Sequence, residues 1–272
     1  MFERILVPLD GSRHSEEMIP YALGLARAHD TPVALLRVLD QAADEAQATR
    51  YVETLAASHG ARPLTVPARG DVADAVLQEA ARVPATLVAM TSRGRSGLME
   101  AVLGSVAQRV LRGAGAPVLL YRPTGGATDQ AVVALRSVVL PLDGSALSEG
   151  MGEQAGAFAR WAGIELEVVR AVDADTAARV GAPAGEVAAL ESGYVRAKAT
   201  ELGARHGVRI NWDVLHGDPA KSIASFVAGR RDVVLAMVTR RQSAMQSALL
   251  GSVTAECLRT AGVPILMRLP AD

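Results

Sequence analysis

The stretch Arg4-Ile-Leu-Val-Pro-Leu-Asp-Gly-Ser12 recurs farther along the chain as Ser137-Val-Val-Leu-Pro-Leu-Asp-Gly-Ser145. Three more segments repeat in the same order, and the pairs are 31–40 with 164–173, 70–71 with 217–218, and 103–106 with 250–253. Such internal similarity predicts two tandem copies of one domain. The last two pairs lie farther apart than the first two, which predicts an insertion in the second copy, around Ala174 to Gly185.

The length of 272 residues allows two domains, each large enough to bury a core. We expect the first domain at 1–123 and the second at 137–272. The segment 124–136 follows Pro123 and contains the adjacent residues Gly125 and Gly126, a composition typical of a linker.

Each copy alternates apolar runs with helical patterns. In the first copy the predicted strands are Ile5–Leu9, Val33–Val38, Leu64–Pro67, Thr86–Met90 and Val118–Tyr121. The predicted helices are Ser15–Ala28, Asp44–Ser58, Val72–Val83 and Ser105–Arg112. Short apolar runs without polar alternation are typical of parallel strands covered on both faces. The sequence therefore predicts an α/β fold with two tandem, doubly wound parallel sheets. Pro20 predicts a kink or a late start in the first helix.

Composition excludes several classes of function. The formal net charge is −1 and aromatic residues make up 3%, so the chain offers neither a basic field nor stacking platforms for nucleic acid. No apolar run is long enough to span a membrane, and no signal peptide is recognisable, so we expect a cytoplasmic protein. Cys257 is the only cysteine, and its helical setting predicts a buried, inert thiol.

Candidate chemistry lies where the strands end, because ligands of doubly wound sheets bind beyond their carboxyl ends. Gly104-Ser105 opens a predicted helix, whose first N–H groups attract anions. Arg93 and Arg95 in the preceding loop are able to bind phosphate. A capped helix beside a surface turn with solvated arginines explains the same residues, and local physics alone favours that alternative.

The segment from Ala89 to Val106 and the opening Ile5–Ser12, with Ser15 after it, resemble the universal stress protein family. The resemblance covers nearly the whole chain, twice. It implies a five-stranded parallel sheet of strand order 3-2-1-4-5 in each copy, the adenine nucleotide alpha hydrolase-like fold. It also implies ATP, with Mg²⁺ as an optional companion ion. The family signature is Gly-x2-Gly-x9-Gly-Ser/Thr, and here Thr91 stands at the first glycine position.

The resemblance assigns an ATP site in the first copy, with adenine near the backbone of Val38, ribose near Asp10 and phosphates along the glycine-rich loop. The residues implied are Pro8, Asp10, Val38, Thr91, Ser92, Arg93, Gly94, Arg95, Gly97, Gly104, Ser105 and Val106. A weaker second site is implied at Asp143, Ala171, Arg241, Gly251 and Ser252. We expect one strong site per chain, because glycine permits positive-φ turns at the cradle whereas the second copy has Val238 and Arg241 at the first two signature positions.

The predicted function is a nucleotide-dependent stress sensor or regulator with no catalytic residue, although weak ATPase activity stays open. A scaffold that binds no nucleotide is one alternative, and a slow ATPase or nucleotide-dependent transferase is another. The residues suggest no metal site. The last strand of each copy predicts pairing of the two domains as an intrachain pseudo-dimer, since exposed sheet edges invite pairing. The family resemblance leaves open further assembly into a homodimer, and neither nucleic acid nor a membrane is an expected partner.

Overall fold

Two units, Met1–Ala134 and Leu135–Asp272, make up the computed structural model of the chain. The structure describes residues 1–39, 44–68, 70–93, 103–123, 131–173, 184–238 and 250–269. Each unit alternates strands and helices around its own parallel sheet. In the parts of the chain so described, none of the helices is both long enough and apolar enough to cross a membrane.

The first unit has a five-stranded sheet of order β3-β2-β1-β4-β5 with every neighbouring pair parallel. Its strands are β1 (Arg4–Leu9), β2 (Val33–Leu39), β3 (Arg62–Pro67), β4 (Thr86–Thr91) and β5 (Val118–Tyr121). Its helices are α1 (Arg13–Glu16), α2 (Ile19–Ala26), α3 (Glu45–His59), α4 (Val72–Ala81) and α5 (Ser105–Gly113). The predicted sheet and its strand order are confirmed.

The second unit repeats this arrangement with the order β10-β9-β6-β7-β8, again parallel throughout. Its strands are β6 (Ser137–Pro141), β7 (Glu165–Val172), β8 (Ile210–His216), β9 (Val233–Val238) and β10 (Ile265–Arg268). Its helices are α6 (Ala146–Ala162), α7 (Ala184–His206), α8 (Pro219–Val227) and α9 (Ser252–Thr260). In both units the first strand is central and the strand order reverses beside it.

The first helix differs from its prediction because Pro20 divides it. Instead of one helix from Ser15, the chain forms α1, a short turn and then α2, in which Pro20 stands in the first turn. A proline is well tolerated there, since the N–H group that it lacks would have no partner within the helix. The predicted late start is confirmed for α2.

The extra length of the second copy lies partly in a helix. The helix α7 has 23 residues, whereas its counterpart α3 has 15. Most of the predicted insertion, 174–183, lies outside the described residues, and α7 begins at Ala184. Part of the additional length of the second copy is therefore helical.

The core of each unit consists of aliphatic side chains on both faces of the central strands. Ile5, Leu6 and Val7 of β1 are fully buried, and so are Val138 and Val139 of β6. All six residues of β4 are buried. Burial of consecutive residues is expected when helices cover both faces of a parallel sheet. The strand β3, at the edge of the first sheet, alternates between exposed and half-buried residues instead.

A buried ion pair joins β1 to the end of α4 at the edge of the sheet opposite to the carboxyl ends. Arg4 is 9% exposed and Glu79 is 6% exposed. The Nη1 atom of Arg4 lies 2.9 Å from Oε1 of Glu79, its Nη2 donates to the Glu79 carbonyl at 2.6 Å, and its Nε donates to Thr86 Oγ1 at 3.2 Å. All three guanidinium nitrogens are therefore satisfied within the protein.

We predict that Glu79→Ala lowers the free energy of unfolding by about 3–5 kcal/mol, because it leaves the Arg4 charge buried without its carboxylate. Urea denaturation followed by circular dichroism measures this loss. Arg82→Ala is the matched control: Arg82 contacts the same carboxylate at 3.3 Å, but its side chain is 73% exposed. We expect that variant to change stability by less than about 1 kcal/mol. Equal losses in the two variants would contradict a special contribution from burial.

Candidate functional site

A tight turn follows β1 in the first unit. Asp10 Oδ1 accepts hydrogen bonds from the Ser12 N–H at 2.9 Å and the Ser12 hydroxyl at 2.6 Å. Between them Gly11 has φ 85°, a conformation that glycine adopts without strain. Ser15 completes the turn by donating its hydroxyl to the Ser12 carbonyl at 2.7 Å. The Asp10 carboxylate thus fixes the shape of the loop at the carboxyl end of β1.

The same turn follows β6 in the second unit. Asp143 Oδ1 accepts from the Ser145 N–H at 2.9 Å and from the Ser148 hydroxyl at 2.6 Å. Gly144 has φ 79° and takes the place of Gly11. The repeated Asp-Gly-Ser sequence therefore encodes one hydrogen-bonded turn twice, with the aspartate at its centre.

The exit of β4 is joined to the start of α5 by backbone hydrogen bonds. The Gly104 N–H donates to the Ser92 carbonyl at 2.7 Å, and the Ser92 N–H donates to the Tyr121 carbonyl at 2.7 Å. Thr91, which is buried, donates its hydroxyl to the Arg93 carbonyl at 2.9 Å. These bonds bring the two ends of the glycine-rich segment together.

Ser92 is fully buried at this junction. Its hydroxyl has no hydrogen-bond partner within the part of the chain that the structure describes. A buried hydroxyl without a partner carries a desolvation cost. The exit of β4 thus retains an unused polar group next to the start of α5.

Helix starts differ according to their place in the fold. Five helices carry a serine or aspartate whose side chain accepts from a first-turn N–H, and these N-caps are Ser12, Asp44, Asp71, Ser145 and Asp218. The helices after the fourth strand of each unit have Gly104 and Gly251 at the N-cap instead, and α2 has Met18, each without a side-chain cap among the described residues. Within the described residues no side chain caps the starts of α5 and α9, and the positive end of the helix dipole favours an anion there.

The backbone conformation of these two glycines corrects the sequence argument. We expected positive φ at the cradle glycines, but Gly104 has φ −70° and Gly251 has φ −65°. Neither value requires glycine. A Cβ atom at Gly104 would lie 3.4 Å from the Ser92 carbonyl oxygen, in van der Waals contact, so a larger side chain would extend into the space beside the exit of β4.

The described residues of the predicted first site lie along one edge of the sheet. In the register of β1 and β2, Leu9 pairs with Arg37, so the following residues Asp10 and Val38 lie at neighbouring strand ends. Pro8 precedes them in β1, and Ser105 and Val106 form the first turn of α5. Four predicted residues lie outside the described ranges, namely Gly94, Arg95 and Gly97 of the first site and Arg241 of the second.

A cavity of about 610 Å³ opens at the carboxyl end of the second sheet. It is lined by four of the predicted second-site residues, which are Asp143, Ala171, Gly251 and Ser252. The turn after β6, the end of β7 and the starts of α8 and α9 meet around it. The repeat therefore builds a concave site at the position that the sequence assigned to the weaker copy.

Arg170 and Glu191 also line this cavity, and the sequence analysis missed both. Arg170 Nε lies 2.6 Å from Glu191 Oε2, and the Arg170 guanidinium stands 5.5 Å from the centre of the Tyr194 ring. One signal was present: Arg170 repeats Arg37 within the second pair of similar segments. Glu191 had no such signal, because it lies in the helix where the copies differ in length.

Two tyrosines connect α3 and α7 to the helices that follow the first strand of each unit, α1 and α6. Tyr51 donates its hydroxyl to Glu16 at 2.8 Å, and Tyr194 donates to Glu149 at 2.9 Å. Burial, reinforced by the hydrogen bond to the glutamate, raises the pKa of both phenols above their usual range. The phenols therefore stay protonated and serve as donors at any physiological pH.

Cys257 lies in α9, a helix whose first turn lines the cavity. Its thiol is buried and is 3.9 Å from the Ala220 carbonyl of α8. Burial raises the pKa of the thiol to about 12, so very little thiolate forms near neutral pH. The predicted burial of this cysteine is confirmed. In the described residues, no three His, Cys, Asp or Glu side chains gather in a way that would hold a metal ion.

The sequence model of the universal stress protein family matches residues 1–122 and 134–267. The chain therefore belongs to the universal stress protein family, as a member with two tandem domains. A universal stress protein of Thermus aquaticus is 30% identical over 137 residues, which cover 45% of this chain and all of that protein. A second relative, from Methanocaldococcus jannaschii, is 28% identical over 141 residues, covering 45% of this chain and 83% of that protein.

Solved structures support the same fold over the whole chain. A universal stress protein from Archaeoglobus fulgidus has a TM-score of 0.66 at 19% identity and covers 99% of each chain. A protein from Pseudomonas aeruginosa whose function is described as unknown has a TM-score of 0.62 at 17% identity, covering 99% of this chain. At these identities the similarity concerns the fold.

Proposed function

We propose that this chain binds an adenine nucleotide, specifically ATP, at the carboxyl end of the first sheet and acts in the cytoplasm as a nucleotide-dependent stress sensor or regulator. The observation that carries the proposal is the uncapped start of α5, held against the exit of β4 by the bond from the Gly104 N–H to the Ser92 carbonyl. A helix start without a side-chain acceptor is a ready site for a phosphate group.

The neighbouring groups are of the kinds that a nucleoside triphosphate needs. The proposed placement puts adenine against the backbone at Val38 and ribose beside the turn that Asp10 holds. Because Asp10 follows the last residue of β1 and Val38 is the penultimate residue of the neighbouring β2, one ligand is able to reach both. Arg93 lies two residues after the end of β4 and would add a charge-assisted hydrogen bond to the phosphates.

A magnesium ion at this site would be bound by the nucleotide more than by the protein. Asp10 is the carboxylate that the sequence analysis placed at this edge, and one of its oxygens already accepts two hydrogen bonds from Ser12. Mg²⁺ is commonly bound by one or two carboxylates together with substrate phosphates and waters. We therefore propose that any Mg²⁺ enters bound to ATP.

We further propose that the two domains pair through β5 and β10 as an intrachain pseudo-dimer. Each of these strands is the last of its unit, and each has a hydrogen-bonded neighbour within its own unit on one side, β4 and β9 respectively. An apolar edge left open invites association with another strand. A duplicated chain supplies that second strand from within itself.

We predict that calorimetric titration with ATP gives about one strong site per chain and that Gly104→Leu abolishes it. The leucine side chain would start 3.4 Å from the Ser92 carbonyl oxygen and fill the space proposed for phosphate. Gly115→Leu is the matched control, because Gly115 follows α5 and a Cβ atom there has no atom within 4 Å in the described structure. Gly251→Leu should leave the strong site intact. Two equivalent ATP sites, or binding lost only through Gly251, would refute this assignment.

We predict slow hydrogen–deuterium exchange for those backbone amides of Val118–Tyr121 that point away from β4. If β5 pairs with β10, these amides are hydrogen-bonded and exchange as slowly as the amides of central strands. Mass spectrometry of the peptides that contain β5 and β10 provides the measurement. Fast exchange of these outward amides, with the inward ones protected, would exclude pairing through this edge.

A further inference from the structure

The cavity of the second unit has walls of a definite chemical character. Its apolar side is formed by Leu147, Met151, Ile223 and Met237. Asp143 and Asp173 contribute carboxylates at the ends of β6 and β7. A volume of about 610 Å³ is within the range of small-molecule sites, and apolar walls with a few polar groups are typical of them. A heterocycle carrying hydroxyl groups suits such walls, since carboxylates accept hydrogen bonds from hydroxyls.

Arg170 is the one cation among the lining residues that the structure describes. Its guanidinium is committed to protein partners: Nε and Nη2 donate to the Glu191 carboxylate at 2.6 and 3.2 Å, and Nη1 donates to the Leu142 carbonyl at 3.4 Å. The side chains of Arg170 and Glu191 are only 13% and 14% exposed. A phosphate would therefore have to displace Glu191 in order to bind this arginine, and the carboxylate would repel it.

In the first unit, the equivalent arginine has no such carboxylate partner among the described residues. Arg37 occupies the equivalent place and donates to the Leu9 carbonyl at 3.5 Å, as Arg170 does to Leu142. The helices α3 and α7 are aligned through Tyr51 and Tyr194, because these tyrosines donate to Glu16 and Glu149, which are equivalent in the repeat. Three residues before the tyrosine, α3 has Ala48 where α7 has Glu191.

We propose that Glu191 is a specificity-determining residue. Although the start of α9 also borders the second cavity, the Glu191 carboxylate and its hold on Arg170 weaken the binding of a nucleoside polyphosphate there, so that an uncharged nucleoside is preferred. The proposal rests on the proposed function in that it treats both units as sites for adenine compounds. The two domains would then sense different adenine compounds, because the first would bind the triphosphate and the second would bind the nucleoside.

Cys257 provides a readout that belongs to the second cavity alone. Its thiol lies between α8 and α9, whose first turns both line the cavity. Alkylation of this buried thiol requires a local opening of these helices. A ligand that holds the two helix starts together slows alkylation in proportion to its bound fraction. The rate of alkylation by iodoacetamide, measured by mass spectrometry, therefore reports occupancy of the second cavity.

The test compares adenosine with ATP as protecting ligands of the full chain, in the Gly104→Leu background so that the first site does not contribute. We expect adenosine to slow alkylation of Cys257, and ATP to require at least about tenfold higher concentration for the same effect. Glu191→Gln should lower the ATP concentration needed by at least about tenfold while changing that of adenosine by less than about threefold.

Two further variants separate charge from structure. Glu191→Asp retains the carboxylate and should retain the preference for adenosine. Glu201→Gln removes one charge from the exposed part of α7, where Glu201 contacts Lys198 and Arg205, and should leave both ligands unaffected. Protection by ATP equal to that by adenosine in the presence of Glu191, or no gain for ATP in Glu191→Gln, would overturn the proposal. Absence of protection by adenosine would overturn it as well. Failure of the first site appears separately, as loss of ATP binding in calorimetry of the wild-type chain.

Discussion

The parallel direction of all strands in each sheet is the constraint on which the rest of this protein depends. When five strands run the same way, all their carboxyl ends lie at one edge, and every loop that leaves a strand there becomes a neighbour of the others. The Asp10 turn, the end of β2 and the start of α5 meet for this reason, although they are far apart in sequence. The topology of the sheet therefore determines the position of these groups, and individual side chains then determine the chemistry of the site.

Duplication gave both units the same turn and the same uncapped helix, and divergence then changed the chemistry around them. The aspartate turn is preserved in outline, because Asp10 and Asp143 each accept the N–H of the serine two residues later. The hydroxyl that each carboxylate accepts differs, since the donor is Ser12 in the first unit and Ser148 in the second. Arg37 and Arg170 also keep one bond in common, to the carbonyl before the turn. What changed is the helix beside them, where α7 is longer and supplies Glu191. The two equivalent arginines therefore differ in what they present to a ligand, because only Arg170 is paired with the Glu191 carboxylate among the described residues.

The strands, the helices and most of the residues at the sheet edge could be predicted from the sequence, because they follow from the local hydrophobic pattern and from the internal repeat. Contacts that depend on the three-dimensional arrangement of the elements were predicted less well. The Arg170–Glu191 pair depends on the register of a helix after an insertion, which no local pattern specifies. The conformation of Gly104 was wrongly expected to be left-handed, because a glycine in a motif does not reveal whether its role is conformational freedom or space.

The most direct test of nucleotide binding is to purify the chain from cells without added nucleotide, denature it with acid and analyse the supernatant by chromatography. A site that binds ATP at cellular concentrations retains it through purification if dissociation is slow. We predict an adenine nucleotide in the supernatant at about one equivalent per chain, and its loss in the Gly104→Leu variant, because a single phosphate site is proposed at α5. A supernatant free of adenine nucleotide, from a chain that also gives no heat on titration with ATP, would contradict it.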